Sequence, residues 1–339
     1  MKGFVLAAGF GTRMRPVTET VPKPLLPVGQ IPLIGYALRL LARHGIHDVI
    51  VNTHHLARTL KDQLGDGSRF DVSIEYSDEE EILGTGGGLK RMQGQLDETF
   101  VVLNSDTVID LDLTAALRSH HESGALATMV LREDPNHASY GAIEIDDEGR
   151  VRRILGEGRA EGPLRPFMFT GSHVLNPRFL EYLPPEVESC VIRYGYRKAL
   201  DNEEPIHGYI HAGDWMDAGT PERYFQVHDA ALARELTLHH ADPLTSVGGV
   251  APAEHPAGVF LDPTATVADS ATLIPPVSIG PGARVGADAV VGPGTVLKEK
   301  STVAKGVRAE HSVVLPGAKV DTDVADALVA KKSRLLLNR

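Results

Sequence analysis

Short apolar runs alternate with helix-spaced segments through the first third of the chain. Gly3–Leu6, Asp48–Asn52 and Phe100–Asn104 are continuous apolar runs of the kind shown by strands buried on both faces of a parallel sheet, and Val72–Tyr76 is a further candidate strand. Between them, Pro32–His44 carries Leu33, Ile34, Ala37, Leu38, Leu40 and Leu41 at helical spacing behind a proline placed to start it. His55–Leu64 reads as a second helix, stopped by Gly65 and Gly67, and Asp112 is placed to cap a third over Leu113–Ser123. Strands alternating with helices predict an open, mostly parallel α/β sheet, whose ligands bind beyond the carboxyl ends of the strands. The loop after Leu6, the Ser77–Gly88 segment and the Ser105–Asp106 pair fall at that edge. From Leu126 the pattern turns to β: Leu126–Arg132, Ala142–Ile145, Val151–Leu155 and Pro166–Val174 are candidate strands, with Asp147–Gly149 a hairpin turn.

The last third follows a different rule. Every sixth residue from Val267 is apolar, through Leu273, Ile279, Val285, Val291, Leu297, Val303 and Ala309 to Leu315, with Gly or Pro turns between them. A six-residue period predicts a short left-handed parallel β-helix of about three coils, with each aliphatic pointing into a narrow core. The chain therefore divides into an α/β domain over residues 1–236, a His-, Ala-, Pro- and Gly-rich linker over 237–262, the β-helix over 263–323 and a tail over 324–339.

Composition narrows the class. A length of 339 residues favours two domains over one core. Against 34 Lys and Arg stand 45 Asp and Glu, a net charge of −11, which argues against non-specific nucleic-acid binding but leaves room for a nucleotide held by local cations. No apolar run approaches the roughly 20 residues of a membrane span. The single cysteine, Cys190, excludes an internal disulfide and suits a reducing compartment. With Met1 and Lys2 leading straight into the first strand, a cytoplasmic protein without a cleavable signal is expected.

The chemistry concentrates in the stretch Leu6–Pro27. Gly9 and Gly11 let the chain turn tightly and bring backbone N–H groups close to a ligand, while Thr12, Arg13 and Lys23 add a hydroxyl and two cations, a combination suited to phosphate oxygens. The string, with Gly9, Gly11, Thr12, Arg13, Pro16, Thr18, Pro22, Lys23 and Pro24 in their places, resembles the signature G-x-G-T-R-x-x-P-x-T-x-x-x-P-K-P of sugar-1-phosphate nucleotidylyltransferases. That resemblance implies a Rossmann-like, mixed but mostly parallel sheet, with Leu6, Ala8, Gly9, Gly11, Thr12 and Arg13 lining the nucleotide site. It implies that the glycine run after Leu83, with Gly86 and Gly87, reads the base. The wording E-x-L-G-T-x-G from Glu81 is most like mannose-1-phosphate guanylyltransferases, and a carboxylate at Glu81 could accept from guanine's ring N–H and amine. Muramate-type uridylyltransferases carry a similar glycine run.

Further along, the resemblance makes Asp106 and the Asp217 of Trp215–Glu222 the two ligands of a magnesium ion, a hard-oxygen pair with phosphate. Thr220 and Pro221 have a structural reading as well, cap then first helical turn. The resemblance puts sugar-phosphate contacts at Lys23, Tyr140–Gly141, Glu157, Thr170 and Gly171. The sequence departs from the family at Glu157, where Gly156-Glu157-Gly158-Arg159 lacks the expected lysine; Arg159 and Arg165 are candidates to replace it. His54, His55, His239 and His240 show no metal-ligand spacing and read as solvated helix ends or linker.

The implied reaction is NTP plus sugar 1-phosphate giving NDP-sugar and pyrophosphate, with Arg13, Lys23 and Asp106 catalytic. GTP and mannose 1-phosphate lead; uridylyl or thymidylyl transfer to a muramate, glucose or heptose phosphate is the alternative. A non-catalytic nucleotide-sugar-binding subunit stands against both, as does a second, acyltransferase activity using His311 of the repeat. The β-helix is expected to pack against the catalytic domain or to build a homo-oligomer.

Overall fold

The computed structural model describes residues 1–135, 141–159, 162–185, 187–249 and 251–337. Four strands, Ser73–Asp78, Asp48–Thr53, Lys2–Leu6 and Phe100–Asn104, pair in that order and all in parallel. Their alternation sorts side chains to two faces. Phe4, Ile50 and Val102 pack on one face with Leu89, Phe179 and Tyr196. Val5, Val51, Val101 and Leu103 pack on the other with Leu38, Leu41 and Leu60. The expected helices form over Leu33–Arg43, Ala57–Leu64 and Leu113–Ser123. Asp112 caps the last, accepting from the Ala115 N–H at 3.0 Å.

The sheet becomes mixed where Arg165–Leu175 joins Phe100–Asn104 antiparallel. This strand is bulged between Phe169 and His173. Its first half pairs with Ile143–Ile145 and its second with Ala127–Arg132. Ile206–Ile210, not foreseen from the sequence, adds in parallel to Ala127–Arg132. Expectation and structure otherwise agree to within a residue or two in this lobe; the predicted Asp147–Gly149 turn joins Ile143–Ile145 to Val151–Ile154.

The repeat forms a β-helix. Val259–Leu261, Val277–Ile279 and Thr295–Leu297 stack in parallel at 18-residue intervals on one face, and Thr266–Val267, Arg284–Val285 and Thr302–Val303 on the next. The parallel strands run from Val259 to Val329, wider at both ends than the expected 263–323. The six-residue count also slips at its last step. Leu297 stacks on Val314, not on Leu315, because the corner through Glu310–Ser312 is one residue shorter than the preceding Gly292–Thr295 corner. Val314 fills the coil interior, and Leu315 turns to the α/β domain.

That outward turn helps fuse the two parts. Val313, Leu315, Leu328 and Ala330 share one buried cluster with Met14, Leu26, Val28, Ile31 and with Tyr224 and Phe225 of the helix Pro221–Leu232. The linker lies in the same cluster through Ala241. Both linker histidines meet Asp110, at 2.6 and 3.4 Å; His239 is solvent-exposed as expected, whereas the His240 side chain is buried.

His311 does not stand as a free base. Its Nδ1 meets Asp326 at 2.5 Å and its Nε2 meets both Asp229 oxygens at 2.9 Å, tying the β-helix to the Pro221–Leu232 helix. Bonding to Asp229, and then to Asp326, raises its pKa. A raised folded-state pKa stabilises below the unfolded value, about 6.5, and the contribution is lost as pH rises through the folded value. His311→Gln is therefore expected to lower the melting temperature more at about pH 6 than at about pH 9. Equal losses at both pH values, read by thermal unfolding, would show that the imidazolium is not the bridging form.

Candidate active site

The loop after the first strand is closed by small residues at particular places. Gly11 has φ 63°, and a Cβ there would sit 2.9 Å from Lys23 Cβ and 3.1 Å from Thr18 Cγ2. Thr18 Oγ1 donates to the Gly11 carbonyl at 2.9 Å, pinning the loop on itself. Gly9 has nothing within 4 Å of its missing side chain and faces open space. The expected need for glycine thus has two causes here, close packing at one position and clearance at the other.

Asp106 and Asp217 are brought together by a two-stranded ladder that no local signal announces. Thr107–Ile109 pairs antiparallel with Trp215–Asp217, with Asp217 opposite Thr107, and the Ala218 N–H donates to the Asp106 carbonyl at 3.0 Å. Lys23 Nζ meets Asp106 at 2.5 Å, with the lysine side chain buried. Arg223 meets Asp217 at 2.5 Å. A Cβ on Gly219 would lie 2.6 Å from Asp217 and 3.3 Å from Arg13 Nη2, so Arg13 reaches the same turn. Two carboxylates and three cations therefore converge. Among the described residues no group of three or more His, Cys, Asp or Glu could hold a metal ion by itself. The pair offers hard oxygen donors only, which fits a magnesium ion that keeps waters or phosphate oxygens in its shell.

Arg13, Lys23, Asp106 and Gly219 border a cavity of about 390 Å³, whereas Asp217 and Arg223 are not among its lining residues. Leu6, Ala8, Gly9, Gly11, Thr12, Arg13, Lys23 and Asp106 line it, as the sequence leads one to expect. Gly84 and Thr85, of the segment expected at the ligand edge, line it as well, and so do Asn52, Asn104 and Gly219, which were not foreseen as site residues. Asn52 Oδ1 accepts from the Ala7 N–H at 2.7 Å and its Nδ2 donates to Glu79 at 2.7 Å; Glu79 in turn accepts from the Leu83 N–H at 2.8 Å. One buried amide and one buried carboxylate so fix the opening loop against the glycine helix, Gly84–Arg91.

Several expected contacts lie elsewhere. Glu81 is exposed and does not line the cavity; the inward carboxylate of that acidic run is Glu79. Gly86 and Gly87 face the chain behind them, since Cβ atoms there would fall 2.7 Å from Ser189 Oγ and 2.6 Å from the Val187 carbonyl. Glycine is needed there for helix packing, and Gly84 and Thr85 border the cavity instead. A Cβ on Gly141 would run into Leu155, Gly141 does not line the cavity, and Tyr140 lies outside the described residues. Glu157 is exposed on an edge strand and ion-paired with Arg197. Neither Arg159 nor Arg165 borders the 390 Å³ cavity. Thr170 is buried at the bulge, its hydroxyl donating to the Val130 carbonyl at 2.8 Å and its carbonyl accepting from Trp215 Nε1 at 3.0 Å. Gly171, with φ 85°, leaves space for Asn104. His54 and His55 bond the Glu79 and Thr18 carbonyls at 2.9 and 2.7 Å, and so brace the same loops.

A glycine-lined pocket at the strand edge of an α/β sheet, with paired carboxylates and cations, defines a phosphate-handling enzyme of the nucleotidyl-transfer type. The chain belongs to the nucleotidyl transferase family, whose model matches residues 2–234. It is 32% identical to a UTP–glucose-1-phosphate uridylyltransferase of Synechocystis, over 96% of this chain and 92% of that one. It is 33% identical to a mannose-1-phosphate guanylyltransferase of Mycobacterium tuberculosis, over 92% of this chain and 82% of that one. A putative glucose-1-phosphate thymidylyltransferase from Bacillus anthracis, solved in complex with a sucrose, shares the fold, with a TM-score of 0.61 at 24% identity over 70% of this chain and 97% of its own.

Proposed function

We propose that this chain transfers a nucleotidyl group from an NTP to a sugar 1-phosphate, giving NDP-sugar and pyrophosphate. The observation that carries the reading is the meeting of Arg13, Lys23 and Asp106 at one cavity, with Asp217 brought beside Asp106 by the ladder. The sugar phosphate is already an anion at neutral pH and needs no general base; the barrier lies in bringing two anions together, so positioning and charge neutralisation dominate. Lys23 holds the attacking phosphate against the α-phosphate, Arg13 stabilises the departing pyrophosphate, and the opening loop offers its N–H groups to the nucleotide. Asp106 and Asp217 would hold a magnesium ion, which supplies Lewis-acid charge neutralisation at the phosphates when bound.

GTP with mannose 1-phosphate is the pair we propose first, supported by the E-x-L-G-T-x-G wording and by the guanylyltransferase relative. The exposure of Glu81 withdraws the carboxylate argument for guanine. UTP with glucose 1-phosphate is the second reading, favoured by a similarity that runs over 96% of the chain. The proposal includes a cytoplasmic enzyme and a homo-oligomer. It is tested by a matrix of NTPs against sugar 1-phosphates, read by pyrophosphate release with and without EDTA. One pair should dominate, EDTA should abolish release, and excess Mg²⁺ should restore it. No release from any pair would sink the reading, and full activity in EDTA would remove the metal from it.

A further inference from the structure

Four residues beyond Lys23 the chain enters a small hairpin, Pro27–Val28 against Ile31–Pro32, with Gly29 and Gln30 at its tip. The base of the hairpin is held within the α/β domain: Tyr224 Oη donates to the Pro27 carbonyl at 2.5 Å and Tyr36 Oη to the Val28 carbonyl at 2.9 Å. Its tip is held from outside. The Gln30 N–H donates to the Pro243 carbonyl at 2.6 Å. Its side-chain amide is 3% exposed and donates to Ser278 Oγ at 2.9 Å and to the Leu297 carbonyl at 3.3 Å, both in the β-helix. Lys298 Nζ, also buried, donates to Gln30 Oε1 at 3.1 Å. Among the described residues Lys298 has no carboxylate within ion-pairing distance, and burial lowers its pKa to about 7. A buried amine whose side-chain partner is one glutamine is costly to leave unpaired, so the pair acts as a stiff polar contact inside an otherwise apolar seam.

We infer that Gln30 is a positioning residue for the transfer reaction: by locking the hairpin tip to Ser278, Leu297 and Lys298, it lets the β-helix hold the loop that carries Lys23. The route is short and continuous. Leu26 and Val28 are wholly buried beside Val313 and Leu315, the Leu33 N–H donates to the Leu26 carbonyl at 2.9 Å, and the Leu26 N–H donates to the Lys23 carbonyl at 3.0 Å. Lys23 itself is fastened on its other side by Gly11 and Asp106. The β-helix thereby gains a catalytic consequence without contributing a group to the cavity. This inference rests on the proposed transfer reaction.

The test compares Gln30→Ala with Val285→Ala, which opens a void in the coil interior away from the seam. Gln30→Ala is expected to lower kcat about tenfold, with both KM values within about twofold, because the nucleophile-holding lysine is displaced but the nucleotide loop is intact. Hydrogen exchange of the segment 23–33 should quicken in the same variant, while that of residues 9–13 stays unchanged. Val285→Ala should lower the melting temperature while leaving kcat and that exchange pattern unchanged. Unchanged kcat or unchanged exchange in Gln30→Ala would overturn the inference, as would equal losses in Val285→Ala. A wild type inactive on every substrate pair would instead strike the proposed reaction, and leaves the exchange arm to judge the contact.

Discussion

Asp106→Asn is expected to lower kcat about 10²–10³-fold, roughly 3 kcal/mol or more of barrier, while the protein stays folded. The fold survives because the ladder that places Asp106 uses its backbone carbonyl, which the Ala218 N–H reaches at 3.0 Å. Asparagine has the same shape and can still accept from Lys23. Only the negative charge is lost, and with it one of two hard donors facing the phosphates. The variant should therefore need far more Mg²⁺ for half-maximal activity than the wild type. Pyrophosphate release measured across a magnesium titration, with circular dichroism as the check on folding, decides the matter. Near-normal turnover, or an unchanged magnesium requirement, would take the metal away from Asp106.

Lys23→Ala should cost a similar factor by another route. The side chain is 9% exposed, so its charge acts where water screens it little. Alanine keeps the Cβ against which Gly11 is packed, so the loop can stay closed and the loss isolates the ammonium. Without it Asp106 loses the cation that pairs with it, and repulsion grows as the phosphates approach. The fall should appear in kcat more than in KM for the nucleotide, and added magnesium should not repair it. Lys23→Arg is expected to recover little, because a planar fork does not replace a compact point charge in so tight a space. A kcat within a few-fold of wild type in Lys23→Ala would end the assignment.

How far the sequence could be read varies with the kind of signal. Three of the four parallel strands were legible as apolar runs, and the loop over Leu6–Pro27 because its glycines, cations and prolines match a family signature position by position. Strand alternation could not separate Glu79 from Glu81, since both are in phase with Ser77; the strand ends at Asp78, and beyond it Glu79 is buried and Glu81 exposed. Gly86 and Gly87 could not be resolved from sequence, because a close helix contact and a close ligand demand the same missing Cβ. The slip from Leu315 to Val314 was equally hidden, since both residues are apolar and only the pairing of Leu297 reveals the shortened corner. Asn52 and Gln30 carried no signal at all. Each matters through partners far along the chain, and a single amide among apolar neighbours looks like surface until the fold closes over it.

Because the ladder between Thr107–Ile109 and Trp215–Asp217 closes on Asp106 and Asp217, everything from the Leu113 helix to the Ile206 strand is an insert whose two borders are the carboxylates themselves. The part of the chain that departs from the family wording, around Glu157, lies wholly within this insert. Among its described residues, Arg165–Leu175 is the strand that pairs directly with the four parallel strands. Such a layout allows inheritance by replacement: an ancestor could exchange the insert's rim, loop by loop, and meet a new sugar while the two border residues and their ladder pass on unaltered. Divergence among relatives should then be steepest inside these borders and shallowest at them.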